Sequence, residues 1–236
     1  MKKGMAWRGA PLQNIEKKPE YPLGVSDAKC SIMYKIARLI SFVFGPPIVP
    51  VYGMAIALWL SMLRVLPLST RLWVLGVVAL MICVVPLVCI WALWKLGHLS
   101  DPALKQQNER TLPYIITLVS YAACAGFLYV SQAPMWLVMF MVGAMLAVII
   151  CTLVNRKWKI SAHMTAMGGL MALTMRMAVS HLCIVDMIWP MVIVTILCGM
   201  VGTSRLIMQR HTLGQVLAGF AVGFLCVYLC SGIPLY

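Results

Sequence analysis

Met135-Trp-Leu-Val-Met-Phe-Met-Val-Gly-Ala-Met-Leu-Ala-Val-Ile-Ile-Cys-Thr-Leu-Val154 is an unbroken apolar run without one charged side chain. It has the length a helix needs, about 20 residues at roughly 1.5 Å each, to cross a hydrocarbon core of about 30 Å. Similar runs recur on either side, at about 36–63, 72–94, 112–130, 164–179, 187–203 and 216–230. Of the 236 residues, 62% are hydrophobic and 11% charged, more apolar surface than a water-soluble domain of this length can bury. The pattern predicts an all-α integral membrane protein, a bundle of six to seven transmembrane helices forming a single domain over 36–236. Pro46, Pro47 and Pro50 interrupt the first run, which reads as a kinked span or as one containing a re-entrant piece.

The preceding stretch, 1–35, is polar, rich in lysine, proline and glycine, and lacks the early apolar core of a secretory signal. It reads as an N-terminal tail. Counting spans from it places the tail, the 101–110 loop, the 157–163 loop and the 205–211 loop on one membrane face. Lysine and arginine concentrate on that face, with Arg64 and Arg71 opposite, so the positive-inside rule predicts that it is cytoplasmic, in an inner or plasma membrane. The net charge of +13 is dispersed among short loops, which suits anionic headgroups or substrates and argues against nucleic acid as a partner.

Seven of the nine cysteines fall inside apolar runs and no pair has metal-ligand spacing. They read as small core hydrophobes, and neither a disulfide, a metal nor a cofactor is expected. Gly219-Phe-Ala-Val-Gly223 in the last run is a small-xxx-small pattern that lets a neighbouring helix approach closely, and packing within the bundle is its first reading. Oligomeric state is left open.

Two polar islands interrupt the apolar pattern: Lys157-Trp-Lys159-Ile-Ser161-Ala-His163 and Ser204-Arg205-Leu-Ile-Met-Gln-Arg210-His211-Thr-Leu-Gly-Gln215. Ionisable groups at the ends of membrane segments are expensive and mark functional sites. A lone basic residue there usually anchors a helix at the headgroups, and solvated lysines such as Lys105 and Lys159 are ordinary in loops. The combination argues for more. Arginine grips a tetrahedral oxyanion with two N–H bonds, a serine hydroxyl adds a donor, and two histidines can divide nucleophile and general-acid roles. Arg110, Lys159, Ser161, His163, Ser204, Arg205 and His211 together describe phosphoryl transfer at the water–lipid boundary.

At these positions the chain resembles the type 2 phosphatidic acid phosphatase superfamily, whose signatures are K-x6-R-P, P-S-G-H and S-R-x5-H-x3-D. The third signature is matched by Ser204, Arg205 and His211, with Gln215 where the family has aspartate. The second appears as Ile160-Ser161-Ala162-His163, and the first as Lys105 and Arg110 with Pro113, at altered spacing. The resemblance covers roughly 105–220 and implies that His211 attacks phosphorus to form a phosphohistidine. It further implies that His163 protonates the leaving alcohol and that Arg110, Ser161 and Arg205 hold the phosphoryl oxygens, beside Ser204, Lys105 and Lys159. The substrate implied is a lipid phosphomonoester or diphosphate, handled without a metal. Gln215 lies at i+4 from His211 on a helix, so its amide oxygen can accept the Nδ1 proton and orient the ring, although it supplies no negative charge. The alternative from another class is a non-catalytic member that binds or transports a lipid phosphate.

Three further residues carry blander expectations. His98 reads as an interfacial histidine. Arg176, inside a span, is expected to snorkel to the far face toward Asp186, and His181 and Asp186 to cap helices in the far loop.

Overall fold

A computed structural model describes residues 27–97 and 111–232. Among the described residues the regular structure is helical throughout: α1 (Asp27–Val43), α2 (Val49–Leu60), α3 (Leu68–Ala79), α4 (Val85–Lys95), α5 (Thr111–Val130), α6 (Met135–Asn155), α7 (Ala162–Val179), α8 (Ile188–Ile207) and α9 (Leu213–Cys230). Five helices are long and apolar enough to cross a membrane: Leu68–Lys95, which joins α3 and α4, Leu112–Val130, Met135–Asn155, Ile188–Ile207 and Leu213–Cys230. Their outer faces expose Trp73, Trp91, Ile193, Ile196, Leu217 and Leu225. That is the inside-out pattern of an integral membrane protein, in which lipid solvates the apolar exterior.

The departures from the expected six to seven spans have physical causes. The first run does not form one span. Gly45-Pro46-Pro47 has no N–H at two consecutive positions and stops α1 at Val43, and α2 restarts at Val49 with a proline in its first turn. Helix α1 begins at Asp27, inside the stretch expected to be tail, while 1–26 lie outside the described residues. Helix α7 has the length of a span but carries His163, Thr165, Thr174 and Arg176, because it is surrounded by protein. It packs on α2, α6, α8 and α9. Between α3 and α4 a π-helical turn, Leu80–Val84, absorbs Pro86 so that the chain continues in one direction.

Three helices meet backbone to backbone. A Cβ added at Gly223 of α9 would collide with the main-chain carbonyl of Thr165 on α7, and one at Gly168 of α7 with the carbonyl of Phe220. At Gly219 the added atom would sit 2.6 Å from the carbonyl oxygen of Ser161, and at Gly143 of α6 it would sit 2.7 Å from Val227 Cα. These pairings advance together along α7 and α9, from Ser161 with Gly219 to Thr165 with Gly223 to Gly169 with Val227, so the two helices run parallel. The small-xxx-small pattern of α9 thus serves packing within the bundle. Around this contact Met54, Phe140, Met141, Leu173 and Met177 fill one core and Val49, Met164, Met167 and Val201 a second.

Helices α5, α7 and α8 all end the same way. The residue after the cap takes a left-handed conformation, Gln132 at φ 56°, His181 at φ 50° and Gln209 at φ 50°. The following N–H groups then reach back, as Arg210 N–H does to the Arg205 carbonyl and Gln209 N–H to that of Leu206. His181 therefore ends α7, and Asp186 accepts from Ile188 N–H at the start of α8, as expected of that loop. Arg176 does not reach for Asp186. Its Nη2 donates to the Tyr228 carbonyl at 2.8 Å and its guanidinium lies over the Tyr228 ring, at the C-terminal end of α9. Cys83, Cys89, Cys124, Cys151, Cys183, Cys198, Cys226 and Cys230 are free, and Cys124, Cys151, Cys198 and Cys226 are buried as small core residues.

The glycine contacts separate two classes of substitution. Gly223→Ala is expected to destabilise the protein by about 1–3 kcal/mol, because the α7 backbone must move. Gly199→Ala in α8, where a Cβ meets nothing within 4 Å, is expected to be neutral or mildly stabilising. Thermal unfolding of the two variants in detergent checks the contrast.

Candidate active site

Parallel packing of α7 and α9 puts their N-termini side by side, and the two polar islands are the segments that lead into them. Ser161 N–H donates to the Gln215 carbonyl at 3.4 Å, a main-chain link between the islands. Two helix N-termini at one place present the positive ends of two dipoles, a setting that favours an anion. Helix α8 runs the other way and brings Arg205 to the same end in its last turn. Its left-handed ending at Gln209 folds the chain back within six residues, which is how Arg205 and His211 come to share one cavity wall.

His211 is buried, and its orientation is over-determined. Nδ1 lies 3.2 Å from Gln215 Oε1 and 3.3 Å from the Lys159 carbonyl. Both partners are acceptors. The Gln215 amide is fixed in that sense because its Oε1 also accepts Thr212 N–H at 3.2 Å, one half of a Thr212/Gln215 capping box at the start of α9. The ring proton therefore sits on Nδ1 and leaves the Nε2 lone pair free. Burial, reinforced by the charge of Arg205, pushes the imidazole down to about 4, against the weaker opposite pull of the Gln215 and Lys159 hydrogen bonds. At neutral pH the ring is uncharged and has a defined tautomer.

His163, in the first turn of α7, places Nε2 at 3.1 Å from the main-chain oxygen of Ser41 on α1. Arg205 Nη1 donates to Ser41 Oγ at 3.2 Å. His163, Arg205 and His211 all line one cavity of about 310 Å³, whose remaining wall is mostly apolar, with Phe140, Ala144, Val148, Leu170 and Val227 beside the hydroxyl-bearing Tyr114, Thr117, Tyr121 and Thr165. Pro46, Pro47, Pro50, Pro86 and Pro113 also border it. The cavity reaches along α6 from Cys151 to Phe140, about 16 Å at a helical rise of roughly 1.5 Å per residue.

The other anticipated residues stand behind this wall. Gln215 and the Lys159 carbonyl hold His211 from the rear, and the Lys159 charge contributes to lowering its proton affinity. Ser161 is fully buried at the N-terminal boundary of α7, and its hydroxyl has no hydrogen-bond partner among the described residues. Ser204 faces away from the cavity, donating to the Val201 carbonyl at 2.7 Å and lying 3.0 Å from Ser41 Oγ. Arg110, Lys105 and His98 lie outside the described residues. Helix α5, which follows Arg110, does bring Pro113, Tyr114 and Thr117 to the cavity wall. Among the described residues no three His, Cys, Asp or Glu side chains gather as a metal site would require. Ser41 was not foreseen, being one serine in the apolar stretch Leu39-Ile-Ser41-Phe-Val.

The electrostatics of His211 give a signed expectation. NMR titration of histidine-labelled protein should place its midpoint near pH 4, lower still in Gln215→Leu, which removes the hydrogen bond that favours the charged ring, and higher in Gln215→Glu, which adds a carboxylate. Because the folded value lies below the ordinary 6.5, the stability linked to this group is complete above that value and is lost as pH falls toward 4.

The chain matches no protein-family model, no curated protein and no solved structure.

Proposed function

We propose that this protein is a membrane-embedded phosphatase or phosphotransferase that acts on a lipid phosphomonoester or diphosphate through a phosphohistidine, as a divergent member of the type 2 phosphatidic acid phosphatase superfamily. One observation carries the reading: an apolar cavity whose polar corner is formed by His163, Arg205 and His211. Such a cavity complements an amphiphile with an anionic head and a hydrocarbon tail. The cytoplasmic face of an inner or plasma membrane is the location that the loop charges favour.

In this mechanism the Nε2 lone pair of His211 attacks phosphorus in line with the lipid oxygen. The P–O bond to the lipid breaks, and protonated His163 gives one proton to the departing oxygen and becomes neutral. Water then attacks the phosphohistidine, giving its proton to His163, and phosphate leaves as both histidines return to their starting states. In phosphotransfer an acceptor alcohol replaces water. Arg205 balances the charge on the transferring group, with Arg110 and Lys105 as the further cations of the first signature. The imidazolium character that His211 acquires is relieved when phosphate departs. Gln215 therefore serves by holding the Nδ1 proton outward, a task for an acceptor oxygen that does not require a carboxylate.

The same substitution motivates the second reading, a lipid-phosphate binder or transporter without turnover. Purified protein in detergent, given lipid phosphates and a chelator, is expected to release phosphate without added metal, and His211→Ala to abolish release. Binding without release in the wild type would favour the second reading. A separate test addresses the tail. Ala144→Trp, which fills the cavity far from the histidines, is expected to lower turnover of long-chain lipid phosphates by about tenfold, the equivalent of roughly 1.4 kcal/mol, while sparing a short soluble phosphate ester.

A further inference from the structure

His163 and Arg205 belong to different islands, yet one residue outside both holds them. Ser41 is buried near the C-terminal end of α1, a helix that packs chiefly on α8 and carries none of the three signatures. Its main-chain oxygen is available for a structural reason. Phe44 N–H is taken by the Ile40 carbonyl and Gly45 N–H by that of Phe42, and the next two residues, Pro46 and Pro47, have no N–H. The Ser41 carbonyl is thus passed over by the main-chain ladder, one of the orphan acceptors left at a helix end. It points to His163 Nε2 at 3.1 Å. Since a carbonyl only accepts, this bond keeps a proton on Nε2 and fixes the orientation of the ring, as the Gln215 and Lys159 acceptors do for His211.

The hydroxyl of Ser41 takes part in a directed chain. Arg205 only donates, and it donates to Ser41 Oγ. Ser204 gives its own proton to the Val201 carbonyl, so at 3.0 Å from Ser41 it is left to accept. The order is Arg205 to Ser41 to Ser204 to Val201, with one proton per link. Met208 Sδ at 3.5 Å is the weaker alternative for the Ser41 proton. A guanidinium tethered in this way keeps its orientation before an anion arrives, which lowers the ordering cost of binding.

We propose that Ser41 is a positioning residue, its hydroxyl aiming Arg205 and its carbonyl holding the Nε2 proton of His163, so that an otherwise unmarked helix completes the anion site. This rests on the phosphate-site reading above. The test measures binding of inorganic phosphate to the full chain in detergent by calorimetry, for wild type, Ser41→Ala, Ser41→Cys and Ser41→Thr. Thermal unfolding is recorded for each. Ala and Cys are expected to bind about tenfold more weakly, the scale of one charge-assisted hydrogen bond, with unfolding midpoints near wild type, and Thr to restore binding. Cys conserves size, so it carries the test if Ala fails to fold. In an Arg205→Ala background, Ser41→Cys should add no further loss, because its hydroxyl acts through that arginine. Phosphate binding in Ala and Cys within twofold of wild type would overturn the role of Ser41 alone. A wild type that binds no phosphate overturns the anion-site reading, and this proposal with it.

Discussion

Thr165 and Gly223 meet with no side chain between their backbones, and the arrangement of the polar residues follows from how near that lets α7 come to α9. Any larger residue at Gly168, Gly219 or Gly223 would hold the helices apart and lift Ser161 from Gln215. Close approach alone would not suffice. Because the helices also run parallel, the segments leading into both lie at the same end, and Arg205 and Lys159 stand near two helix dipoles of the same sense. A membrane interior gives helices little hydrophobic reason to associate, so backbone-to-backbone contact through small residues is a main source of cohesion there. One contact therefore contributes to stability and also aligns the chemistry.

Much of the fold could be read from the apolar runs. Expected spans at 112–130, 135–154 and 216–230 coincide with α5, α6 and α9 to within a few residues, since length and hydropathy together leave a buried helix little freedom. What failed was local. The break between α1 and α2 depends on whether a proline pair kinks a helix or ends it, and that is decided by the packing around Gly45. The early start of α1 at Asp27 was hidden because an amphipathic helix looks polar by composition. Helix α7 has the length of a span but carries a histidine, threonines and an arginine, which lower its hydropathy and are tolerated because neighbouring helices enclose it.

At the site, the link from His211 to Gln215 was legible, because i,i+4 spacing on a helix leaves few alternatives. The second duty of Gln215, capping α9 through Thr212 N–H, fixes the amide and explains how glutamine suits this position. Ser41 was not legible. A single serine in an apolar run has no periodic or motif partner, and its importance arises only from the tertiary path of α1. Ser204 shows the same limit, for its adjacency to Arg205 suggested a ligand whereas its hydroxyl turns inward toward Val201. The destination of Arg176 was likewise set by a neighbour in space, the Tyr228 carbonyl.

The five prolines that border the cavity come from three separate parts of the chain: the α1–α2 connection with the start of α2, the start of α4, and the start of α5. Each removes a main-chain N–H, and none can donate a hydrogen bond to water or to a passing carbonyl. The part of the cavity wall that they form is consequently poor in donors. A hydrocarbon chain sliding past it would meet little friction from polar groups, whereas water would find few partners on which to linger.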